Sequence, residues 1–144
     1  MTTPDTVRLL RECDAGVRMG VDSIDSVIHH VKHRKLKDTL SHNRAEHIAI
    51  QDEITRRLHD IGDEGKDPNP IAVGMSHMKA RMKLMGDRDD SHIASLMTDG
   101  CHMGVKSLSK YLNQYGDADS SSRDIAKRII ALEEDLGAAM RVYL

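Results

Sequence analysis

Aromatic side chains are nearly absent from this 144-residue sequence, which has no Phe, no Trp and only three Tyr. Proteins that bind single-stranded nucleic acids stack the bases on aromatic rings, so we expect no nucleic-acid partner. The net charge is only −2, and acidic and basic residues are mixed along the chain. A folded core must therefore be aliphatic, built from Leu, Ile, Val and nine Met, whose flexible side chains fill irregular gaps between helices.

Cysteines and long apolar runs are also scarce. Cys13 and Cys101 are far apart and form no Cys-x-x-Cys motif, which is typical of reduced thiols in a cytoplasmic protein. No apolar stretch approaches the roughly 20 residues that a transmembrane helix needs. The first residues show no basic start followed by an apolar run, so we expect no targeting segment and a soluble, cytoplasmic protein.

Apolar residues recur every three or four positions in five segments, which predicts helices at about 4–31, 35–61, 70–85, 90–115 and 120–143. Thr3 and Pro4 are a typical N-cap and first helical residue. Asp89, Asp90 and Ser91 offer capping side chains for the helix at 90–115, and residues 119–122 offer them for the last helix. No Gly or Pro separates the first two helices, but the apolar pattern changes phase after Val31, which predicts a turn at 33–35. We expect one domain over residues 1–144.

The four long helices form two pairs, and a long connection that carries the short helix 70–85 joins the pairs. Short turns make the members of each pair antiparallel, whereas a long connection can travel the length of a bundle and make the second and third long helices parallel. The sequence therefore predicts an all-α fold: a ferritin-like up-down four-helix bundle with a long crossover that carries an additional short helix.

Five short motifs in this sequence are similar to those of a known protein family. They are residues 16–20 (GVRMG), 67–70 (DPNP), 91–94 (SHIA, followed by Met97, Gly100, Met103 and Gly104), 132–134 (LEE) and 140–144 (MRVYL). Together they resemble a family of small uncharacterised ferritin-like proteins of anaerobic spore-forming bacteria. The resemblance implies the same bundle fold but no activity. In that family an acid commonly follows the third string, where this chain has Ser95.

A di-iron site of the standard ferritin-like pattern is not encoded. That pattern needs Glu-x-x-His on two helices, because residues three apart on a helix project side by side. The chain has six Glu, and the residues three positions after them are Ala15, Ala49, Arg56, Asp67, Leu136 and Gly137. None of these is His, so any metal centre would have to be irregular.

His47 is the main candidate for unusual chemistry, because it falls on the apolar face near the middle of its helix. The facing helix, at 90–115, has no bulky side chains at this level, because Gly100 and Gly104 lie there one turn apart. We favour a core histidine that is hydrogen-bonded to a buried carboxylate such as Glu133 or Asp14. The alternative is an irregular site for Fe, Mn or Zn; its predicted ligands are His47, Glu133, Asp14 and His102.

Other His–acid pairs lie one helical turn apart, namely Asp99–His102, His42–Glu46 and Asp25–His29. Such pairs are also ordinary surface contacts, so each alone is weak evidence for a metal. The segment 71–85 carries four Met at helical spacing among basic residues. We favour a helix that packs this Met face over the bundle; the alternatives are peripheral membrane contact and a thioether site for Cu(I).

No residue pattern predicts a catalytic nucleophile, a phosphate loop or a resident cofactor. The sequence favours a non-enzymatic binding or interaction module, whose partner is an unidentified protein or a second copy of the chain. A metal-binding or redox bundle with an irregular His/Asp/Glu site is the alternative function.

Overall fold

A computed structural model describes residues 2–63 and 89–144. Four long helices make up most of these residues: α1 (Pro4–Val27), α2 (Arg34–Asp60), α3 (Asp90–Gln114) and α4 (Ser120–Met140). Short 3-10 turns follow α1 at Ile28–His30 and α4 at Arg141–Tyr143. No strand occurs in the described ranges, which confirms the all-α prediction for them. The predicted helix at 70–85 and its Met face lie outside the described residues.

Side-chain caps lie at the start of all four long helices, and for α2 the cap is His33, whose Nδ1 accepts from the Lys35 backbone N–H over 3.2 Å. Thr3, Asp89 and Asp119 each accept a hydrogen bond from the backbone N–H three residues later. Such caps satisfy helix donors that have no partner within the helix, and each typically contributes about 1 kcal/mol. Thr3, Asp89 and Asp119 are among the predicted capping residues, and their three helices begin where the sequence predicts.

The turn between α1 and α2 is longer than the sequence predicts. Helix α1 ends at Val27, not at Val31, and the chain passes through a 3-10 turn into extended backbone before α2 begins. The Asp90 carboxylate accepts hydrogen bonds from the backbone N–H groups of Lys32 and His33, both at 2.9 Å. A side chain from α3 thus stabilises a turn that contains neither Gly nor Pro.

Contacts at the helix ends establish the directions of the four helices. At one end, the Thr3 hydroxyl before α1 donates to the Asp117 carbonyl after α3, over 2.9 Å. Arg57 near the end of α2 pairs with Asp119 before α4 at the same end. Helix α1 is therefore antiparallel to both α2 and α3, so α2 and α3 run in the same direction. Asp63 and Asp89, which flank residues 64–88, consequently lie at opposite ends of the bundle.

The apolar core is divided into two clusters along the bundle. The cluster nearer the start of α1 contains Leu9, Leu10, Cys13, Val17, Ile50, Ile54, Leu58, Leu108, Ala118, Ile125, Ala126, Ile129 and Leu132. The other contains Ile24, Val27, Val31, Leu36, Leu40, Ile93, Ala94, Leu96, Met97, Cys101, Leu136 and Met140. On every helix the division falls at mid-height, and at that level a buried polar pair is inserted.

Candidate functional site

The polar pair consists of His47 from α2 and Glu133 from α4, at the place where all four helices meet. His47 is fully buried and Glu133 is 8% exposed. Gly20 of α1 and Gly104 of α3 present bare backbone to the pair. Burying ionisable side chains between two apolar clusters is costly unless they are paired, so their mutual geometry determines what this site can do.

Both ring nitrogens of His47 are engaged. Nε2 lies 2.7 Å from Glu133 Oε1, and Nδ1 lies 2.9 Å from the Asn43 carbonyl oxygen. A carbonyl oxygen can only accept, so Nδ1 carries a hydrogen and donates it. The remaining proton lies between Nε2 and the carboxylate. The core-histidine interpretation, with Glu133 as the partner, is therefore confirmed.

The charged form of His47 is favoured in the folded protein. Burial by itself lowers the pKa of His47, because it disfavours the cation. The hydrogen bond and the negative charge of Glu133, together with the Asn43 carbonyl, act in the opposite direction and leave this pKa raised above its ordinary 6.5. The position of Glu133 thus favours the protonated imidazole, in which Nε2–H donates to Glu133 Oε1 over 2.7 Å.

Glycine backbone closes two sides of the pair. A Cβ placed on Gly20 would lie 2.6 Å from His47 Nε2, which is closer than real Cβ atoms come. A Cβ on Gly104 would lie 3.4 Å from Glu133 Oε2. The Glu133 side chain therefore occupies the space beside Gly104, where the sequence indicated that α3 lacks bulky side chains.

A thiol lies on the third side of the pair. Cys101 of α3 is buried, and its thiol interacts with the Glu133 carboxylate. Burial, the Glu133 charge and a hydrogen bond to Glu133 all raise the pKa of Cys101 far above its ordinary value. Burial, with the nearby charges of Glu12 and Asp14, raises the pKa of Cys13 to about 12. Thiolate is the reactive form, so neither cysteine is equipped to act as a nucleophile at neutral pH.

Both thiols are therefore expected to resist alkylation by iodoacetamide in the native protein at pH 7.5, at rates at least about 100-fold below those in urea. The measurement compares single-cysteine variants Cys13→Ala and Cys101→Ala, with and without denaturant. A fast native phase for either thiol would show that its burial has been misjudged.

The other two predicted metal ligands are not joined to this pair. Asp14 is buried but forms an ion pair with Arg18, one turn along α1, with Nε and Oδ2 3.1 Å apart. His102 follows Cys101 and is exposed. Within residues 2–63 and 89–144, no group of three or more His, Cys, Asp or Glu is arranged to hold a metal ion.

The surface pairs behave as ordinary contacts. His42 and Glu46 are exposed and 2.8 Å apart on one face of α2. Asp25 pairs with Arg44 of α2, through Arg44 Nε at 2.6 Å, so α1 and α2 are linked there instead of Asp25 and His29. Exposed pairs of this kind typically contribute less than about 1 kcal/mol.

Sequence reasoning did not identify Gly20, Asn43 or Cys101 as neighbours of the central pair. Gly20 falls between Val17 and Ile24 on the buried face of α1, where a glycine opposite a mid-helix histidine indicates close packing. Asn43 lies one turn before His47 on the same face, and its Nδ2 contacts the Leu132 carbonyl at 3.4 Å. The sequence shows that Gly20 and Asn43 lie on the buried faces of their helices. It does not show which residues of other helices they contact.

The described residues form an all-helical bundle in which a buried His47–Glu133 contact joins α2 to α4, with glycine backbone of α1 and α3 packed against it. Searches with this chain found no matching protein-family model, no matching curated protein and no matching solved structure.

Proposed function

We propose that this protein is a ferritin-like helical bundle that acts as a non-enzymatic binding or interaction module. The observation that carries the proposal is the His47–Glu133 ion pair. In ferritin-like enzymes the middle of the bundle supplies metal ligands. Here the Nε2 and Oε1 atoms that could serve that purpose bond to each other at 2.7 Å.

The ferritin-like assignment is supported by the parallel direction of α2 and α3 and by the positions of Asp63 and Asp89 at opposite ends. A long connection between such ends is what distinguishes this arrangement from a bundle with only short loops. Ferritin-like bundles host unrelated functions, so the fold alone does not select one of them.

The composition of the described interior supports binding through the outer surface. The described core is aliphatic, and its central polar pair is enclosed by glycine backbone and by the Cys101 thiol. Function is then carried by exposed side chains that contact a protein partner or a second copy of this chain. Light scattering on the full chain distinguishes a monomer from a homodimer.

The test of the proposal is elemental analysis of untagged protein, reconstituted with Fe, Mn or Zn and freed of excess metal. We expect much less than one metal ion per chain, because a metal would have to displace the buried ion pair. Stoichiometric metal that is lost in His47→Ala but kept in His42→Ala would overturn the proposal. It would replace the binding module with the metal-binding or redox alternative.

A further inference from the structure

The α1–α2 turn carries a dense group of basic side chains. Residues 29–37 contain four Lys or Arg, three His and no acidic residue, a local exception to the mixed charge of the chain. All seven of these side chains are exposed. Val31 and Leu36 are buried in the core, so the turn is anchored while its Lys and Arg side chains face solvent. We call residues 29–37 the basic turn.

Acidic neighbours only partly offset this charge. Both oxygens of Asp90 accept hydrogen bonds from backbone N–H groups of the turn. Asp89 lies close enough to Lys32 for their charges to interact, although its Oδ1 is engaged by His92. Among ion pairs within the described ranges, none involves Arg34, Lys35 or Lys37. All three side chains are exposed.

Exposed apolar side chains lie beside the basic turn. Helix α4 ends at the same end of the bundle, and the rings of His33 and Tyr143 meet edge to face with centroids 5.4 Å apart. Val142 and Leu144, on either side of Tyr143, are 82% and 60% exposed. Across the described part of the chain, the only other large apolar side chain so exposed is Met103. Two independent features, cations and bare aliphatic groups, therefore converge at one end.

We infer that this end of the bundle, the basic turn together with Val142 and Leu144, is a docking surface for an anionic lipid bilayer. Lys and Arg are attracted to the negative surface of acidic lipids, and adjacent aliphatic groups gain by entering the boundary between headgroups and acyl chains. A soluble polyanion would satisfy the cations but would leave Val142 and Leu144 in water. None of the described helices is long and apolar enough to cross a membrane, so this contact is peripheral.

The experiment is co-sedimentation of the full chain with vesicles of phosphatidylcholine and phosphatidylserine, against vesicles of phosphatidylcholine alone. We expect binding to the acidic vesicles only, weakened by added salt because salt screens exposed charges. The double variant Lys35→Gln/Lys37→Gln removes two exposed cations, and it should lower the partition coefficient by more than tenfold, at about fivefold for each lost cation. The matched control, Lys106→Gln/Lys110→Gln on the exposed face of α3, should change it by less than twofold.

The apolar contribution is tested by Val142→Ser, which should weaken vesicle binding at least about threefold. The same substitution should leave retention on a heparin column unchanged. Thermal unfolding of each variant establishes that it folds as the native chain does. Absence of vesicle binding, equal binding to both kinds of vesicle, or equal losses in the two Lys double variants would overturn the inference. The inference would also be overturned if heparin binding depends on the Lys residues while vesicle binding is unchanged by Val142→Ser. That result would indicate that the partner is a soluble polyanion.

Discussion

Gly20→Ala should destabilise the protein by about 1–3 kcal/mol, the usual cost of overpacking a tight core. This sign is unusual, because replacing Gly by Ala inside a helix ordinarily gains about 0.5–1 kcal/mol. The new methyl group would lie 2.6 Å from His47 Nε2. The imidazole cannot readily move aside, because hydrogen bonds to Glu133 and Asn43 hold it at both nitrogens.

Gly16→Ala provides a matched control one turn earlier on the same helix. A Cβ there would come no closer than 4.0 Å to Leu108 Cδ1, which is an ordinary contact. We expect this variant to be neutral or up to about 1 kcal/mol more stable than the native chain. Urea unfolding of both variants at one pH measures the difference. Equal free energies of unfolding for the two would mean that α1 does not approach His47 as closely as described.

The level of the central pair could be predicted from the sequence, but its full membership could not. His47 falls on the apolar face of α2, and a buried imidazole needs a hydrogen-bond partner, for which the sequence offers buried carboxylates such as Glu133 and Asp14. The choice between them depends on how α1 and α4 are rotated about their axes. Asp14 has Arg18 one turn away and pairs with it, and the structure thereby leaves Glu133 for His47.

Helix rotation also explains the misplaced residue on α3. The predicted buried face of this helix passed through Gly100 and Gly104, so His102 was expected near the central space. Cys101 is buried and His102 is exposed, because neighbouring residues on a helix point about 100° apart. Two glycines on one face of a helix weaken the apolar pattern that shows which face is buried. The sequence therefore could not determine how α3 is rotated about its axis.

The end of α1, at the turn before α2, could not be predicted for a different reason. The change of phase after Val31 correctly indicated that one long helix is interrupted. The point at which α1 ends depends on Asp90, a residue almost sixty positions away, whose carboxylate binds the turn backbone. Local propensity carries no information about such a tertiary contact, whereas the caps at Thr3, Asp89 and Asp119 are local and were predicted.

Removing one member of the His47–Glu133 pair should be the most damaging change in the described core. His47→Leu leaves a buried carboxylate and Glu133→Leu leaves a buried imidazole, each at a cost of about 3–5 kcal/mol. The double variant His47→Leu/Glu133→Leu removes both charges, so it should be more stable than either single variant. Free energies of unfolding for the four proteins give the coupling between the two residues. A double variant that loses the sum of the two single losses would show that the residues do not act as a pair.

The native chain and the double variant also test, through pH, whether folding makes the pair hold a proton more tightly. Its pKa is raised in the folded state, so the proton on His47 favours folding fully below its unfolded value of 6.5. This contribution is lost as pH rises from 6.5 through the folded pKa of His47. Native stability should therefore fall with rising pH above 6.5, relative to the double variant, whose remaining histidines cancel in the comparison. Readings below about pH 8 avoid ionisation of the thiols in the unfolded chain, which would act in the same direction. Parallel profiles for the native chain and the double variant would mean that the buried pair binds no more protons than the same two side chains bind in the unfolded chain, so that folding does not raise the pKa of His47.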